Sequence, residues 1–83
     1  MNAKGTQTVS VAMSLDVRGM PCPLPIVKTA RAIRQLRSGD LLEVLATDPG
    51  SVLDFVAWCR GTGNELVWRT EDRGLFRFIV RKK

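Results

Sequence analysis

Hydrophobic and polar residues alternate along the chain with two different periods. A period of two, or a short continuous apolar run, indicates strands at 9–17, at 41–46 and twice within 65–83. Between these segments, apolar residues recur at the spacing of an amphipathic helix over 26–36 and 52–59. The pattern therefore predicts the order strand, helix, strand, helix, strand, strand.

Turn residues set the expected limits of these elements. The first helix should end at "SGD", where Gly39 can adopt the left-handed conformation that closes a helix. Asp48 is placed to cap the second helix, with Pro49 at its first position, and "GTGN" should end that helix. The segment Asp72-Arg73-Gly74 predicts a turn between the last two strands.

The element order predicts an α/β fold. Two strand-helix-strand units imply a partly parallel sheet, and the closing hairpin adds an antiparallel strand. We expect a two-layer sandwich, with a mixed four-stranded sheet and both helices on one face. The 83 residues allow one domain, over 9–83, after a polar and flexible arm at 1–8.

The charge of the chain is strongly positive and unevenly distributed. Thirteen Lys and Arg against eight Asp and Glu give a net charge of +5, which favours acidic partners. No acidic residue occurs from 17 to 39. That window contains the cations Arg18, Lys28, Arg31, Arg34 and Arg37. The last four predict a helix face that docks an acidic surface on a partner, or else a merely solvated face.

The sequence also indicates the cellular compartment of the protein. No apolar run reaches the ~20 residues of a membrane span, and residues 1–10 lack the apolar core of a signal peptide. We therefore expect a cytoplasmic protein without a membrane span, in which the two cysteines remain reduced.

The stretch "MPCPLP" contains the candidate reactive residue, Cys22. Pro23 and Pro25 suit the first turn of a helix, so the thiol should lie in the N-cap region, near the unpaired N–H groups of Leu24 and Ile26. A helix N-terminus and nearby cations lower a thiol pKa, so we expect a larger thiolate fraction. The alternative is a small apolar residue that only fills a cap position.

The other residue types in the chain limit the reactions available to this thiol. The chain contains no histidine, so a Cys-His catalytic pair and a zinc site are disfavoured. The motif is not Cys-x-x-Cys, and Cys59 continues the apolar face of the second helix, which predicts a core residue. Persulfide relay, redox sensing and a mixed disulfide remain open.

At this point the sequence resembles a known family. "LDVRGMPCPLP", with a glycine before a Cys-Pro-x-Pro that opens a helix, is similar to the signature of the TusA/SirA-like sulfur carriers. "SGDLLEVLATDPGS" and "FRFIVRK" resemble the second and last strands of that family, so the similarity spans 13–83. It places Arg18, Gly19, Pro23, Leu24 and Pro25 in the motif around Cys22.

The resemblance implies a sulfurtransferase-type carrier whose cysteine, here Cys22, accepts sulfane sulfur as a persulfide and relays it. Its donors would be cysteine desulfurases or rhodanese-like proteins, and its acceptors DsrE-like proteins or the tRNA thiolation machinery. It implies no cofactor beyond the transient persulfide, and dependence on partners leaves open whether the chain alone is an enzyme. Members that serve tRNA thiolation are similar in having Glu where this chain has Leu24, which favours dissimilatory sulfur metabolism or thiosulfate use.

Two other functions compete with the carrier interpretation. A small basic RNA-binding module would use the positive charge, and the architecture resembles the C-terminal domain of translation initiation factor three. Direct nucleic-acid binding is not expected, because the aromatic residues occupy core-like positions and form no stacking platform. A thiol-based redox sensor would use the same cysteine with peroxide as the oxidant.

Overall fold

The computed structural model describes residues 10–83, which form two helices and a four-stranded sheet. The bounds of the elements, in chain order, are β1 Met13–Asp16, α1 Leu24–Ile33, β2 Leu41–Ala46, α2 Ser51–Thr62, β3 Glu65–Asp72 and β4 Leu75–Arg81. The predicted element order is confirmed. Neither helix of the described part is long and apolar enough to cross a membrane.

The sheet has the strand order β1-β2-β4-β3 and is mixed, as expected. β1 and β2 are parallel, whereas β4 is antiparallel to both β2 and β3. Asp16 pairs with Leu45, and the amide of Val17 donates to the carbonyl of Leu45 at 2.8 Å. The carboxyl ends of β1 and β2 therefore lie side by side, and so do the loops that follow them.

Both helices pack on the same face of the sheet. Phe55 on α2 stacks on Phe78 of β4, with ring centroids 4.3 Å apart. Ala32 and Ile33 of α1 belong to the same core, together with alternate residues of the strands. The fully buried strand residues of this core are Leu42, Val44, Ala46, Phe78 and Val80. The two-layer α/β sandwich is thus confirmed.

The opposite face of the sheet carries no helix among residues 10–83, and it mixes polar and apolar side chains. Glu43 accepts a 2.7 Å hydrogen bond from Ser14 and forms an ion pair with Arg77. The Arg77 guanidinium lies 5.2 Å from the centroid of the Trp68 ring. Ile79, cross-strand from both Glu43 and Trp68, is fully buried on this face. Polar and aromatic side chains therefore surround Ile79 on the helix-free face.

The Glu43 cluster predicts a loss of stability in acid. The bonds from Ser14 and Arg77 lower the pKa of Glu43. Its stabilising contribution is therefore present above the unfolded-state pKa of about 4.3 and is lost as the pH falls through the folded-state value. Urea unfolding should show a smaller decrease between neutral pH and about pH 3 for Glu43→Gln than for the wild type. Equal decreases would contradict this role.

The limits of β1 and α1 differ from those expected. β1 begins at Met13, and Val9 and the predicted arm lie outside the described residues. α1 ends at Ile33, because the amides of Gln35 and Leu36 bond to carbonyls three residues back and tighten the chain into a turn. Gly39 does have a positive φ of 89°, but it lies in the loop beyond this turn.

The expected start of α2 was wrong by two residues, whereas the later turns are confirmed. The Asp48 carboxylate accepts the amide of Gly50 at 3.1 Å, which forms a turn before the helix, and Gly50 is the N-cap residue. Gly63 ends α2 in the left-handed conformation. Arg73 and Gly74, with φ of 53° and 83°, make the two-residue turn between β3 and β4.

Candidate functional site

Cys22 is an exposed free thiol in the loop between β1 and α1. The loop leaves the sheet at Gly19, whose φ of 80° is one that glycine adopts without strain. The Gly19 amide donates to the Thr47 hydroxyl at 2.8 Å, which ties this loop to the one that follows β2. The two loops at the carboxyl ends of the parallel strands are thus joined beside the thiol.

The position of Cys22 relative to the start of α1 differs from the one expected from the prolines. Pro23 is the N-cap residue and Pro25 lies buried in the first turn, so Cys22 precedes the cap. The Leu24 amide donates to the carbonyl of Pro21 at 2.9 Å. This N–H group is therefore already bonded and is not free to stabilise a thiolate, and no side chain caps the helix.

The predicted lowering of the Cys22 pKa was wrong. A hydrogen bond to the carboxylate of Asp54, then desolvation, then the charges of Asp54 and Asp48 raise the pKa of this thiol. Asp48 lies in the loop after β2, and Asp54 lies in the first turns of α2. Although the surrounding sequence window is free of acids, the fold brings two carboxylates from a later segment to the thiol and favours its protonated form.

Arg18 was also expected to stabilise a thiolate at Cys22, but its side chain pairs with Asp16 instead. Its Nη2 lies 2.7 Å from Oδ2 of Asp16, and its Nε donates to Oδ1 of the same carboxylate at 2.9 Å. This bidentate pair lowers the pKa of Asp16 to about 2. The cation nearest to Cys22 in sequence is therefore neutralised by Asp16, the last residue of β1.

Apolar side chains are exposed on the two helices that flank the thiol. Leu24 and Val27 on α1 are 42% and 41% exposed, and Leu53 on α2 is 76% exposed. Leu24 and Val27 are three residues apart, so they share one side of α1. The surface next to Cys22 thus combines apolar side chains with the two carboxylates.

The predicted basic face of α1 is only partly helical. Lys28 and Arg31 lie on α1, and Arg34 is its C-cap residue. Arg37 lies in the following turn, where its amide donates to Asp40, because the helix ends at Ile33. All four side chains are exposed, and none of the ion pairs found among residues 10–83 involves them. They remain available to an acidic partner.

Cys59 is 6% exposed in the core beneath α2, which confirms the predicted burial. Desolvation raises the pKa of its thiol to about 11, so it is a poor nucleophile at neutral pH. It is a free cysteine like Cys22.

Replacing Cys59 with alanine should lower the free energy of unfolding by about 1 kcal/mol, because a buried sulfur is removed and leaves a small cavity. Reaction of Cys22 with a thiol reagent should be unchanged. Urea unfolding together with mass-mapped alkylation measures both effects. A large fall in Cys22 labelling would contradict the assignment of Cys59 to the core alone.

A groove of about 310 Å³ lies between α2 and the end of the β3–β4 hairpin. Its lining contains none of the residues of the motif around Cys22. The lining residues are Val52, Arg69, Thr70, Glu71, Phe76 and Phe78. Cys22 itself is exposed and lies outside this groove.

Sequence reasoning missed the two carboxylates beside the thiol. The signal for them was the parallel pairing of β1 and β2, because carboxyl ends of parallel strands meet at one edge of a sheet. Taken alone, the "TDPGS" loop after β2 indicates only the start of a helix. Its adjacency to the "MPCPLP" loop would have placed Asp48 near Cys22.

Comparisons with known proteins agree on the class of this chain. The family model described as Sulfurtransferase TusA matches residues 13–82. The sulfur carrier protein TusA of Allochromatium vinosum is 47% identical over 68 residues, which cover 82% of this chain and 90% of that protein. The sulfur carrier protein TusA of Pseudomonas putida is 41% identical over 69 residues, or 83% and 86% of the two chains.

A solved structure shows the same fold. The SirA-like protein from Desulfitobacterium hafniense superimposes with a TM-score of 0.73 over 83% of this chain and 95% of that chain. At 21% sequence identity, this similarity concerns the fold alone.

Proposed function

Because this chain belongs to the TusA sulfurtransferase family and is a sulfur carrier, we propose that Cys22 is the residue that carries the sulfur, as a persulfide. The observation that carries this proposal is the contrast between the two thiols. Cys22 is exposed on a proline-ordered loop, whereas Cys59 is buried in the core. Only the exposed sulfur can meet the sulfur of a partner protein without unfolding of α2.

The reaction exchanges a persulfide for a thiol. The Cys22 sulfur attacks the outer sulfur of a donor persulfide, the S–S bond of the donor breaks, and the donor sulfur leaves with the electron pair and takes up the thiol proton. Delivery to an acceptor thiol is the same exchange in the opposite direction. No net oxidation occurs and no cofactor is required, so the residues around Cys22 need only present and orient the sulfur.

A sulfur carrier exchanges its cargo with a donor and an acceptor protein. We propose a cysteine desulfurase or rhodanese-like donor and a DsrE-like acceptor, each docked through an acidic surface on Lys28, Arg31, Arg34 and Arg37. The exposed cations support this docking mode, and apolar contacts with Leu24 and Val27 would complete it. Electrostatic attraction of this kind mainly raises the association rate and weakens with salt.

Leu24 bears on the pathway that the carrier serves. Its half-exposed apolar side chain lies two residues from Cys22. We propose dissimilatory sulfur metabolism or thiosulfate use rather than tRNA thiolation, in the reducing environment of the cytoplasm. The exposed free thiol supports that compartment, because glutathione and thioredoxin would keep it reduced.

Parallel incubations distinguish sulfur carriage from the two competing functions, RNA binding and redox sensing. Reduced protein is exposed to a small-molecule persulfide, to peroxide at the same concentration, and to a mixed RNA pool. A carrier gains sulfur from the persulfide and returns it to an added thiol, and it retains no RNA at physiological salt. A protein that ignores the persulfide but forms a sulfenic acid, or one that retains RNA, would contradict carriage.

A further inference from the structure

The groove beside β3 has no part in the proposed sulfur exchange. In the strand order β1-β2-β4-β3, β3 pairs only with β4. Alternate main-chain N–H and C=O groups along its other side therefore have no partner strand within residues 10–83. The groove of about 310 Å³ lies between this strand and the first turn of α2. An open strand edge and a cavity thus occur side by side.

The apolar part of the groove lining is aromatic. Phe76 and Phe78 lie on the helix-facing side of β4, with ring centroids 6.3 Å apart and nearly parallel planes, and Val52 of α2 borders them. Phe78 is fully buried, whereas Phe76 and Val52 are half-buried. An apolar side chain placed in the groove would remove the remaining exposed surface of these residues from water, which is favourable.

Two charged residues of β3 lie on the same side of the sheet as these rings. Arg69 is cross-strand from Phe78 and Glu71 is cross-strand from Phe76, and directly opposite residues share a face. The Glu71 carboxylate accepts the amide of Gly74 at 3.1 Å, which holds it toward the hairpin turn. Arg69 belongs to none of the ion pairs found among residues 10–83. Its charge is therefore available to an acidic ligand.

The main chain of β3 also borders the groove. Thr70 is one of the lining residues, although its pairing with Arg77 places its side chain on the helix-free face. The segment Trp68–Asp72 pairs with β4 residue by residue, beyond the irregularity that follows Leu66. A regular stretch of this length matches that of an ordinary strand.

We propose that the groove and the free edge of β3 bind an extended acidic segment of a partner protein, which adds a strand to the sheet. Main-chain hydrogen bonds to β3 supply affinity, and alternate side chains of the segment enter the groove. A carboxylate pairs with Arg69, and an apolar side chain two residues away packs against Phe76 and Val52. This inference concerns a second surface and does not depend on sulfur carriage.

The groove lies at the same end of the sheet as the loop that carries Cys22. Phe76 pairs with Ala46, the last residue of β2, and Asp16 at the end of β1 pairs with Leu45. A partner held by an extended segment in the groove therefore has the rest of its surface on the thiol side of the molecule.

The test is an NMR titration of isotope-labelled wild-type protein with the blocked peptide acetyl-Ser-Thr-Glu-Thr-Val-Thr-Ser-amide. Amide shifts should change at Arg69, Thr70 and Phe76. Two further peptides carry N-methyl groups, one at the third and fifth residues and the other at the fourth and sixth. Because successive residues of a strand turn their N–H groups to opposite edges, one of these peptides should lose binding and the other should retain it.

Charge reversal tests the role assigned to Arg69. A peptide with Lys in place of Glu should bind the wild type about fivefold more weakly, since an exposed ion pair is replaced by repulsion. Arg69→Glu should invert this preference. Arg60→Glu is the matched control, because Arg60 is an exposed arginine in the last turn of α2 and outside the groove. It should keep the preference of the wild type.

Several results would overturn the proposal. These are the absence of shift changes at the groove, equal binding of the two N-methylated peptides, and the same peptide preference in Arg69→Glu as in Arg60→Glu. A wild-type protein that is already a dimer paired through β3 would also overturn it, because a second copy would then occupy the edge. The N-methylated peptides decide the matter on the wild type even if Arg69→Glu fails to fold.

Discussion

Replacement of Cys22 by serine should abolish sulfur loading completely. The hydroxyl of serine has nearly the same size and position as the thiol, but it cannot attack a persulfide to form a stable sulfur–sulfur bond. Because Cys22 is exposed and serine is tolerated near helix starts, folding should be unaffected. Intact-mass measurement after incubation with a persulfide donor should show one added sulfur on the wild type and none on Cys22→Ser.

Cys59→Ala is the matched control for this variant, because it removes the other sulfur and leaves the exposed one. It should load to the same extent as the wild type, since Cys59 is buried and its pKa is raised to about 11. Loading of Cys22→Ser to the wild-type level, or loss of loading in Cys59→Ala with the fold intact, would show that the wrong thiol has been assigned.

Reversal of two charges, at Arg31 of α1 and at the C-cap residue Arg34, should slow loading by a protein donor without affecting loading by a small molecule. Arg31→Glu with Arg34→Glu changes the charge of the docking surface by four units. Electrostatic steering changes association rates by tenfold to a thousandfold, so loading by a cysteine desulfurase with cysteine should slow roughly tenfold or more at low salt. The difference should shrink as ionic strength rises.

The double variant Arg60→Glu with Arg73→Glu is the control for net charge. Both arginines are exposed, Arg60 on α2 and Arg73 in the β3–β4 turn, and neither belongs to the proposed docking surface. This variant should load from the desulfurase at nearly the wild-type rate. Equal slowing in both double variants would mean that only the net charge matters, and unchanged rates in both would mean that α1 is merely a solvated helix face.

Much of the fold could be predicted because local patterns and tertiary packing agree. The alternation of Phe76, Phe78 and Val80 fixes which side of β4 meets the helices, and Arg73-Gly74 supplies the positive φ values of the hairpin turn. The length of α1 could not be predicted, because Leu36 still packs against the core after the helix has ended, so the apolar pattern continues past Ile33.

The identity of the reactive residue could be predicted, but its electrostatic environment could not. The "MPCPLP" motif gives an exposed thiol at a helix start from local information alone. The N-cap residue is Pro23, one position later than expected, so Cys22 lies before the cap. The Leu24 amide is already bonded to the carbonyl of Pro21. The dominant charge then comes from Asp54, 32 positions later in the sequence, through the adjacency of two parallel strands.

The most direct test of sulfur carriage by Cys22 follows one labelled sulfur through the protein. Reduced carrier is loaded from a persulfide made with isotopically labelled sulfur, the donor is removed, and peptides are mapped before and after addition of an acceptor thiol. We expect the label on the peptide that contains Cys22, followed by its loss from that peptide and its appearance on the acceptor. Label on the Cys59 peptide, or label on Cys22 that no acceptor can remove, would contradict sulfur carriage by this residue.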